Sequence, residues 1–220
     1  MLDEGRAQSA LGQCSSLSYH QSGAESLPFI KSGTIDLVIA VQAAHWFEGQ
    51  AVWQELKRIV RTRGTVAFWN WGRYFLIGRP YGDAVLRKYV SHVDYLEPMR
   101  AVECHDPSNW ESITRLEYEP CLEKLSTGVG DGVRMSTRQT LRELEALLRT
   151  WSCVHEWRIA HPEARAKYEG GSGDIIDSLM EEMIQAEADW RNFAKKGDWQ
   201  EITVDIETRT ILLLARRRGE

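Results

Sequence analysis

Residues 35–71 constrain the fold most, because they hold two apolar segments separated by one amphipathic segment. Ile35–Val41 is a nearly continuous apolar run rich in β-branched residues, which is typical of a parallel strand covered on both faces. Gln50–Thr62 carries its apolar residues on one face and predicts a helix, which Gly64 ends. "TVAFWNW" then predicts the next strand. A strand–helix–strand order with short connections predicts a parallel sheet with a right-handed crossover.

The other segments predict helices and strands around this unit. Helices are expected at residues 2–12, 81–93, 137–149, 152–160 (capped by Ser152) and 174–193, and an extended segment at residues 18–21. Residues 73–135 are otherwise irregular, so we expect a lid insertion there within one domain of residues 1–220. "WQEITVDIETRTILLLARRR" predicts two antiparallel strands joined by a tight turn near Thr208.

Composition excludes several classes of protein. Apolar residues make up 43% of the 220 residues, which is enough to fill a core and argues against disorder. The 27 basic residues are outnumbered by 32 acidic ones, so no nucleic-acid partner is expected. No apolar run reaches membrane-spanning length, and the N-terminal residues lack the apolar core of a signal peptide. We therefore expect a cytoplasmic protein without a membrane partner.

The cysteines and histidines do not predict a metal site or a disulfide framework. Four cysteines are scattered without CxxC spacing, which fits a reducing compartment. His155 and His161 are not four residues apart, and no carboxylate pair supports them. No metal ligands are therefore predicted.

Polar and aromatic residues follow the ends of the predicted strands, where a parallel sheet binds its ligands. Glu25 follows the extended segment, and Gln42 directly follows Ile35–Val41. His45-Trp46-Phe47 and Trp69-Asn70-Trp71 bring aromatic side chains to the same edge. Aromatic ring faces attract positive charge, so this edge suits a cationic ligand. From the residues alone, a solvated carboxylate at Glu25 and a strand-end hydrogen bond at Gln42 are the alternatives.

Several stretches together resemble the class I S-adenosylmethionine-dependent methyltransferases, in particular the fungal and bacterial group around trans-aconitate methyltransferase. The matching stretches are "AESLPF" (24–29), "GTIDLVIAVQAAHWF" (33–47), "WQELKRIVRTRGTVAFW" (53–69), "LRTWSCVHEW" (148–157) and "ILLLARR" (211–217). The resemblance implies an α/β Rossmann-like methyltransferase sheet with a helical lid insertion and a C-terminal antiparallel hairpin. It also implies S-adenosylmethionine as the cofactor and a small-molecule acceptor.

The resemblance also implies roles for particular residues. Ala24 and Glu25 would lie beside the adenine, and Val41 and Gln42 beside the methionine part of the cofactor. The region of His45 and Trp46 would face the acceptor. From the residues themselves, Trp71, Arg73 and Trp151 are further candidates for binding the acceptor, and Arg73 could hold a carboxylate through bidentate contacts. Methyl transfer to a carboxylate needs alignment and no base, so no catalytic residue is assigned. A hydroxyl acceptor would make His45 a candidate base. Fungal relatives of this group suggest specialised metabolism as the setting.

The sequence departs from this family at its start. The family begins with a strand, a Gly-rich loop, a helix and a second strand ending in an acid, whereas "MLDEGRA" matches the helix that follows them. "GVGDGV" (128–133) has the glycine spacing, but no apolar strand precedes it, so we expect a flexible lid loop. The sheet would then be N-terminally incomplete, with an open apolar edge beside Ile35–Val41.

This departure leaves several alternatives open. The edge would be covered by the short segment at residues 18–21, by a second copy in a homodimer or by a partner protein, or else the fold would be marginal. The chain is an active methyltransferase, an inactive methyltransferase-like auxiliary or partner-binding protein, or a fragment of a longer gene product.

Overall fold

The computed structural model describes residues 17–90, 98–104, 106–197 and 199–219, which form a six-stranded sheet flanked by helices. The strands are β1 (Ile35–Val41), β2 (Val60–Ile77), β3 (Trp110–Glu119), β4 (Val129–Gly130), β5 (Met135–Thr140) and β6 (Thr203–Arg217). The helices are α1 (Gly49–Ile59), α2 (Pro80–Val90), α3 (Pro98–Ala101), α4 (Leu141–Leu148), α5 (Ser152–Ala160), α6 (Ile175–Ala186) and α7 (Ala188–Ala194). The sheet order is β1-β2-β6-β3-β4, and β5 also pairs with β6.

The predicted strand–helix–strand unit is confirmed as β1, α1 and β2. β1 and β2 are parallel, with Val38 opposite Val66. The carboxylate of Glu48 caps α1 by accepting a hydrogen bond from the backbone N–H of Ala51 at 2.8 Å. The apolar face of α1 is buried against the sheet through Val52, Leu56 and Ile59. The 3.6-residue period of apolar residues therefore correctly predicted which face of α1 is buried.

β1 is covered on one face only, so the prediction of a strand covered on both faces is wrong. Leu37, Ile39 and Val41 have exposed fractions of 51%, 61% and 41%. Among the described residues, β1 pairs with β2 alone and forms the edge of the sheet, as expected for an open apolar edge. Residues 18–21 form no strand and do not cover this edge.

The C-terminal segment is one strand, so the predicted antiparallel hairpin with a turn near Thr208 is wrong. β6 runs unbroken from Thr203 to Arg217 and pairs antiparallel with β2, β3 and β5. The segment contains no Gly, Pro or Asn that would favour a tight turn. Thr208 and the adjacent Glu207 are instead buried within the sheet. The Glu207 carboxylate accepts hydrogen bonds from Tyr118 Oη at 2.8 Å and from the Ser126 N–H at 2.9 Å.

Residues 73–135 are also more regular than the predicted lid insertion. Their strand β3 pairs antiparallel with β6, and Trp110 at its start is 1% exposed. The "GVGDGV" segment contains β4, which pairs with β3, so it is not a free loop. The strands of this region are ordered by pairing with residues far away in the sequence. Such pairing does not require a helical or alternating pattern in the local sequence, so the sequence did not predict it. A lid role for its remaining residues stays a prediction.

The helices after β5 pack with α2 against the ends of β2 and β6 and bury a second apolar core. The helix predicted at 137–149 begins only at Leu141, because residues 135–140 pair with β6. Thr140 and Glu143 cap it reciprocally. Ser152 makes no cap and is instead the first residue of α5. The helix predicted from Asp174 breaks at Glu187 into α6 and α7, and the helix predicted at 2–12 lies outside the described residues.

Asp174 ties the helical layer together as the N-cap of α6. Its buried carboxylate accepts hydrogen bonds from Arg158 Nη2 at 2.7 Å and from Arg149 Nη1 at 2.8 Å. It also accepts the backbone N–H of Ile176 at 2.9 Å. Burial by itself raises the pKa of this carboxyl, but the hydrogen bonds from Arg158 and Arg149 outweigh it, and the pKa is lowered from 3.8 to about 2.

This ion-pair cluster predicts a defined acid sensitivity. The lowered pKa of Asp174 gives stability that is fully present above pH 3.8 and is lost as the pH falls toward about 2. Asp174→Asn should lower the free energy of unfolding at pH 7 by about 3 kcal/mol, because Arg149 and Arg158 lose their shared anion. The difference from wild type should shrink between pH 4 and pH 2 in urea unfolding. Asp189→Asn, which removes a half-exposed partner of Arg79, is the control and should cost less than about 1 kcal/mol.

Candidate functional site

A cavity of about 400 Å³ opens where β1 ends and β2 continues past it. Its lining includes Gln42, His45, Trp46, Trp71, Tyr74 and Trp151. The structure therefore brings together Gln42 and four of the five side chains predicted for the acceptor. That these side chains contact a ligand stays a prediction. Sequence reasoning missed Tyr74 and Cys153, which also line the cavity; Tyr74 lies on β2 beyond the predicted strand.

Gln42 fixes the end of β1 against β2. Its backbone N–H donates to the carbonyl of Trp69 at 3.0 Å, and its side-chain Nε2 donates to the carbonyl of Trp71 at 2.8 Å. Its φ of 50° lies in the left-handed region, which is unfavourable for a residue with a side chain. Such backbone strain concentrates at functional sites, where the surrounding contacts hold it in place.

His45 lies in a short 3₁₀ helix, Ala44–Trp46, immediately after Gln42 and Ala43. The side-chain amide nitrogen of Asn70, which is 0% exposed, lies 3.3 Å from His45 Nδ1. Burial lowers the pKa of His45 from 6.5, so its imidazole is neutral near pH 7. The cavity therefore contains a neutral, hydrogen-bonded histidine.

Aromatic rings meet at steep angles around the cavity. The rings of Trp69 and Trp71 are 5.8 Å apart at 67°, and those of Tyr74 and Trp151 are 5.3 Å apart at 72°. Trp151 precedes α5 and packs partly against the helical core. Such edge-to-face pairs hold the ring faces in fixed positions. Of these four rings, those of Trp71, Tyr74 and Trp151 line the cavity and provide flat apolar surfaces and a weakly negative field for a ligand.

Arg73 is not among the residues that line the cavity, and its role in binding the acceptor stays a prediction. Its guanidinium donates to the buried carboxylate of Asp83 at 3.1 Å and stacks on the Phe75 ring at 3.6 Å. The reason is a register shift between Trp71 and Tyr74 in the pairing of β2 with β6. The alternation of side chains in β2 therefore does not continue regularly from Trp71 to Arg73.

Three residues predicted to bind the cofactor lie outside the cavity lining. Glu25 Oε1 accepts the backbone N–H of Glu48 at 2.9 Å, next to the start of α1. Ala24 packs against the core under β1, and Val41 is on the exposed face of β1. Their adenine and methionine roles stay predictions. Gln42 alone belongs to both the predicted cofactor set and the cavity.

Other kinds of site are not found in the part of the chain that the structure describes. No group of three or more His, Cys, Asp or Glu side chains there is arranged to hold a metal ion. None of its helices is both long and apolar enough to cross a bilayer. Cys104, Cys121 and Cys153 are free thiols.

Comparison with known proteins supports the resemblance seen in the sequence. Residues 1–68 match the family model described as "Methyltransferase domain". A Saccharomyces cerevisiae protein, named a probable S-adenosylmethionine-dependent methyltransferase, is 24% identical over 178 residues, which are 72% of this chain and 57% of that protein. A Dictyostelium discoideum protein named as a methyltransferase is 39% identical over 54 residues, which are 24% of this chain and 20% of that protein. The chain is therefore similar to S-adenosylmethionine-dependent methyltransferases.

A solved structure supports the methyltransferase fold. A protein from Anaeromyxobacter dehalogenans described as a type II methyltransferase superposes with a TM-score of 0.56 at 17% identity. The match covers 95% of this chain and 75% of that chain. The chain spans about a fifth of the length of the Dictyostelium protein and just over half of the length of the Saccharomyces protein. The narrower likeness to trans-aconitate methyltransferase stays a prediction.

The left-handed backbone at Gln42 predicts how this position tolerates substitution. Gln42→Val and Gln42→Gly both remove the amide that bonds to Trp71. A β-branched residue at a φ of 50° is strained, whereas glycine is not. Gln42→Val should therefore be less stable than Gln42→Gly by about 1–3 kcal/mol in urea unfolding. Equal stabilities would show that the end of β1 does not require this backbone conformation.

Proposed function

We propose that the chain acts in methyl transfer from S-adenosylmethionine to an oxygen of a small molecule held in the aromatic cavity. The proposal is supported by the methyltransferase match over residues 1–68 and by the cavity's position at the carboxyl end of β1, beside its parallel neighbour β2. Specialised metabolism in the cytoplasm is the setting that we propose, in keeping with the resemblance of its motifs.

The residues at this edge fit one side of S-adenosylmethionine. Gln42 contributes an amide, and Trp46 and Trp71 contribute ring faces that suit a sulfonium. The Glu25 side chain lies beside the start of α1 and contributes a carboxylate for the polar adenosine end. Ala24 and Val41 contribute apolar surface. When bound, the cofactor supplies an electrophilic methyl group on a positively charged sulfur.

The aromatic cavity is the observation on which this proposal depends. Its volume of about 400 Å³ is within the range of small-molecule sites. The described lining contains no Lys, Arg, Asp or Glu. The cavity therefore favours an acceptor with a flat or apolar body that stacks against the indole rings, and a single polar group directed toward His45.

Calorimetric titration with S-adenosylmethionine tests the proposal. We expect saturable binding, and Trp46→Ala should weaken it by about 3- to 10-fold because one ring face near the sulfonium is lost. Trp46 is 78% exposed, so its removal should leave folding intact. Tyr81→Ala removes another aromatic side chain that is 67% exposed and does not line the cavity, and it is the matched control.

Equal losses of affinity for S-adenosylmethionine in Trp46→Ala and Tyr81→Ala would contradict a role for the cavity in cofactor binding. An absence of binding by wild-type protein with normal circular dichroism would contradict the proposed activity and support an auxiliary role.

A partner-binding role is the second candidate, and the exposed face of β1 favours it. Leu37, Ile39 and Val41 form an apolar row on the strand at the edge of the described sheet. Edge strands with apolar side chains pair readily with other chains. A second copy is the occupant that we propose, because β1 can pair with itself across a two-fold axis.

Light scattering across a concentration series tests the homodimer. The wild-type mass should approach twice 25.2 kDa as concentration rises. Ile39→Lys places a charge in the apolar row and should shift the equilibrium to monomer. Ile159→Lys changes a comparably exposed residue on α5 and should leave the mass of the dimer unchanged. A monomeric mass for wild type at every concentration would contradict self-association.

A further inference from the structure

We propose that Asn70 is a positioning residue that fixes the tautomer of His45, so that His45 donates a hydrogen bond to the acceptor and orients it for methyl transfer. The assignment of the acceptor rests on the proposed function, whereas the assignment of the tautomer rests on the contact of Asn70 with His45. His45 then orients the acceptor and does not act as its base.

The contact between Asn70 and His45 determines where the imidazole carries its proton. The amide nitrogen of Asn70 is a donor and lies 3.3 Å from His45 Nδ1. We assign Asn70 Nδ2–H as the donor and Nδ1 as the acceptor in this contact, so that the neutral ring carries its proton on Nε2. Asn70 is 0% exposed and lies on β2 one residue before Trp71, which holds Gln42. The sheet thus holds this amide in place and keeps water away from it.

The other ionisable groups around the cavity do not offer a base either. Tyr74 and Cys153 line the same cavity, and burial raises the pKa of the phenol and of the thiol. Both groups are therefore protonated near pH 7. No carboxylate, lysine or arginine is part of the described lining. With Nδ1 of His45 already accepting a hydrogen bond, no described side chain in the lining is prepared to remove a proton.

This arrangement favours an acceptor oxygen that is already ionised, as in a carboxylate. The oxygen lone pair forms the new O–CH₃ bond while the S–CH₃ bond breaks and its electron pair stays on sulfur. No proton is released in this step, so no base is needed. A hydrogen bond from His45 Nε2–H would hold the other carboxylate oxygen and align the first for in-line attack. A hydroxyl acceptor would instead have to lose a proton, for which the cavity is not arranged.

Nitrogen NMR of the imidazoles tests the tautomer directly and does not depend on cofactor binding or turnover. In ¹⁵N-labelled protein, the long-range ¹H–¹⁵N spectrum near pH 7.5 distinguishes Nε2–H from Nδ1–H rings. The His45 signals are those that disappear in His45→Gln. We expect His45 to be a neutral Nε2–H tautomer. A proton on Nδ1, or an even mixture of the two tautomers, would overturn the proposal.

Asn70→Asp tests whether this residue sets the tautomer. The substituted carboxylate can only accept a hydrogen bond, so the proton of His45 should move to Nδ1, and the imidazole pKa should rise by about 1–3 units. A merely structural role for Asn70 would leave the tautomer unchanged, and that result would contradict its positioning role. If Asn70→Asp does not fold, as judged by circular dichroism, the tautomer measured in wild-type protein still tests whether His45 carries its proton on Nε2.

Benzoate tests the donor role of His45 with a small carboxylate probe. Its addition should shift the His45 Nε2–H resonance in a saturable way, and benzyl alcohol should shift it at least several-fold less at equal concentration. Equal shifts, or none with benzoate, would contradict the carboxylate assignment. Because this readout needs no S-adenosylmethionine, a failure here is distinct from a failure to bind the cofactor.

Discussion

The antiparallel pairing of β2 with β6 is the constraint on which the rest of the structure depends. β2 spans Val60–Ile77 and β6 spans Thr203–Arg217, so both strands extend well beyond the usual length of about five or six residues. The first half of β2 and the last half of β6 contribute to the core that includes α1. The end of β2 and the start of β6 contribute to the second core, which the helices after β5 cover. The cavity lies where the two halves meet, beside the register shift between Trp71 and Tyr74.

This position explains why the site combines rigid and strained features. Hydrogen bonds to the carbonyls of Trp69 and Trp71 hold Gln42 in its left-handed conformation. Asn70 lies between these two residues and contacts the next functional side chain, His45. Three consecutive residues of one strand thus position two side chains of the loop after β1. A ligand at this edge would meet side chains whose geometry is already set, which reduces the entropic cost of binding.

The sequence predicted those parts of the structure that local patterns control. The apolar run of β1 and the amphipathic face of α1 are short-range signals, and strand ends locate a ligand site in any parallel sheet. For that reason His45, Trp46 and Trp71 were expected at one edge of the sheet, and the structure places all three in the cavity lining. The errors concern non-local geometry. The continuous path of β6 through Thr208 depends on pairing with distant strands. Arg73 lies outside the cavity lining, beside a register shift in the same pairing, and its role in binding stays a prediction. The contact of Asn70 with His45 leaves no pattern in either segment, because it joins residues 25 positions apart.

The central claim is that the aromatic cavity adjoins the sulfur of a bound S-adenosylmethionine. A crystal structure of the protein with S-adenosylhomocysteine, the demethylated product, tests it most directly. The account predicts that the sulfur lies beside Gln42, with the adenosine extending toward Glu25 and the cavity open in front of the sulfur for the acceptor. Density for the ligand anywhere else on the molecule, or a cavity closed off from the sulfur, would contradict the account.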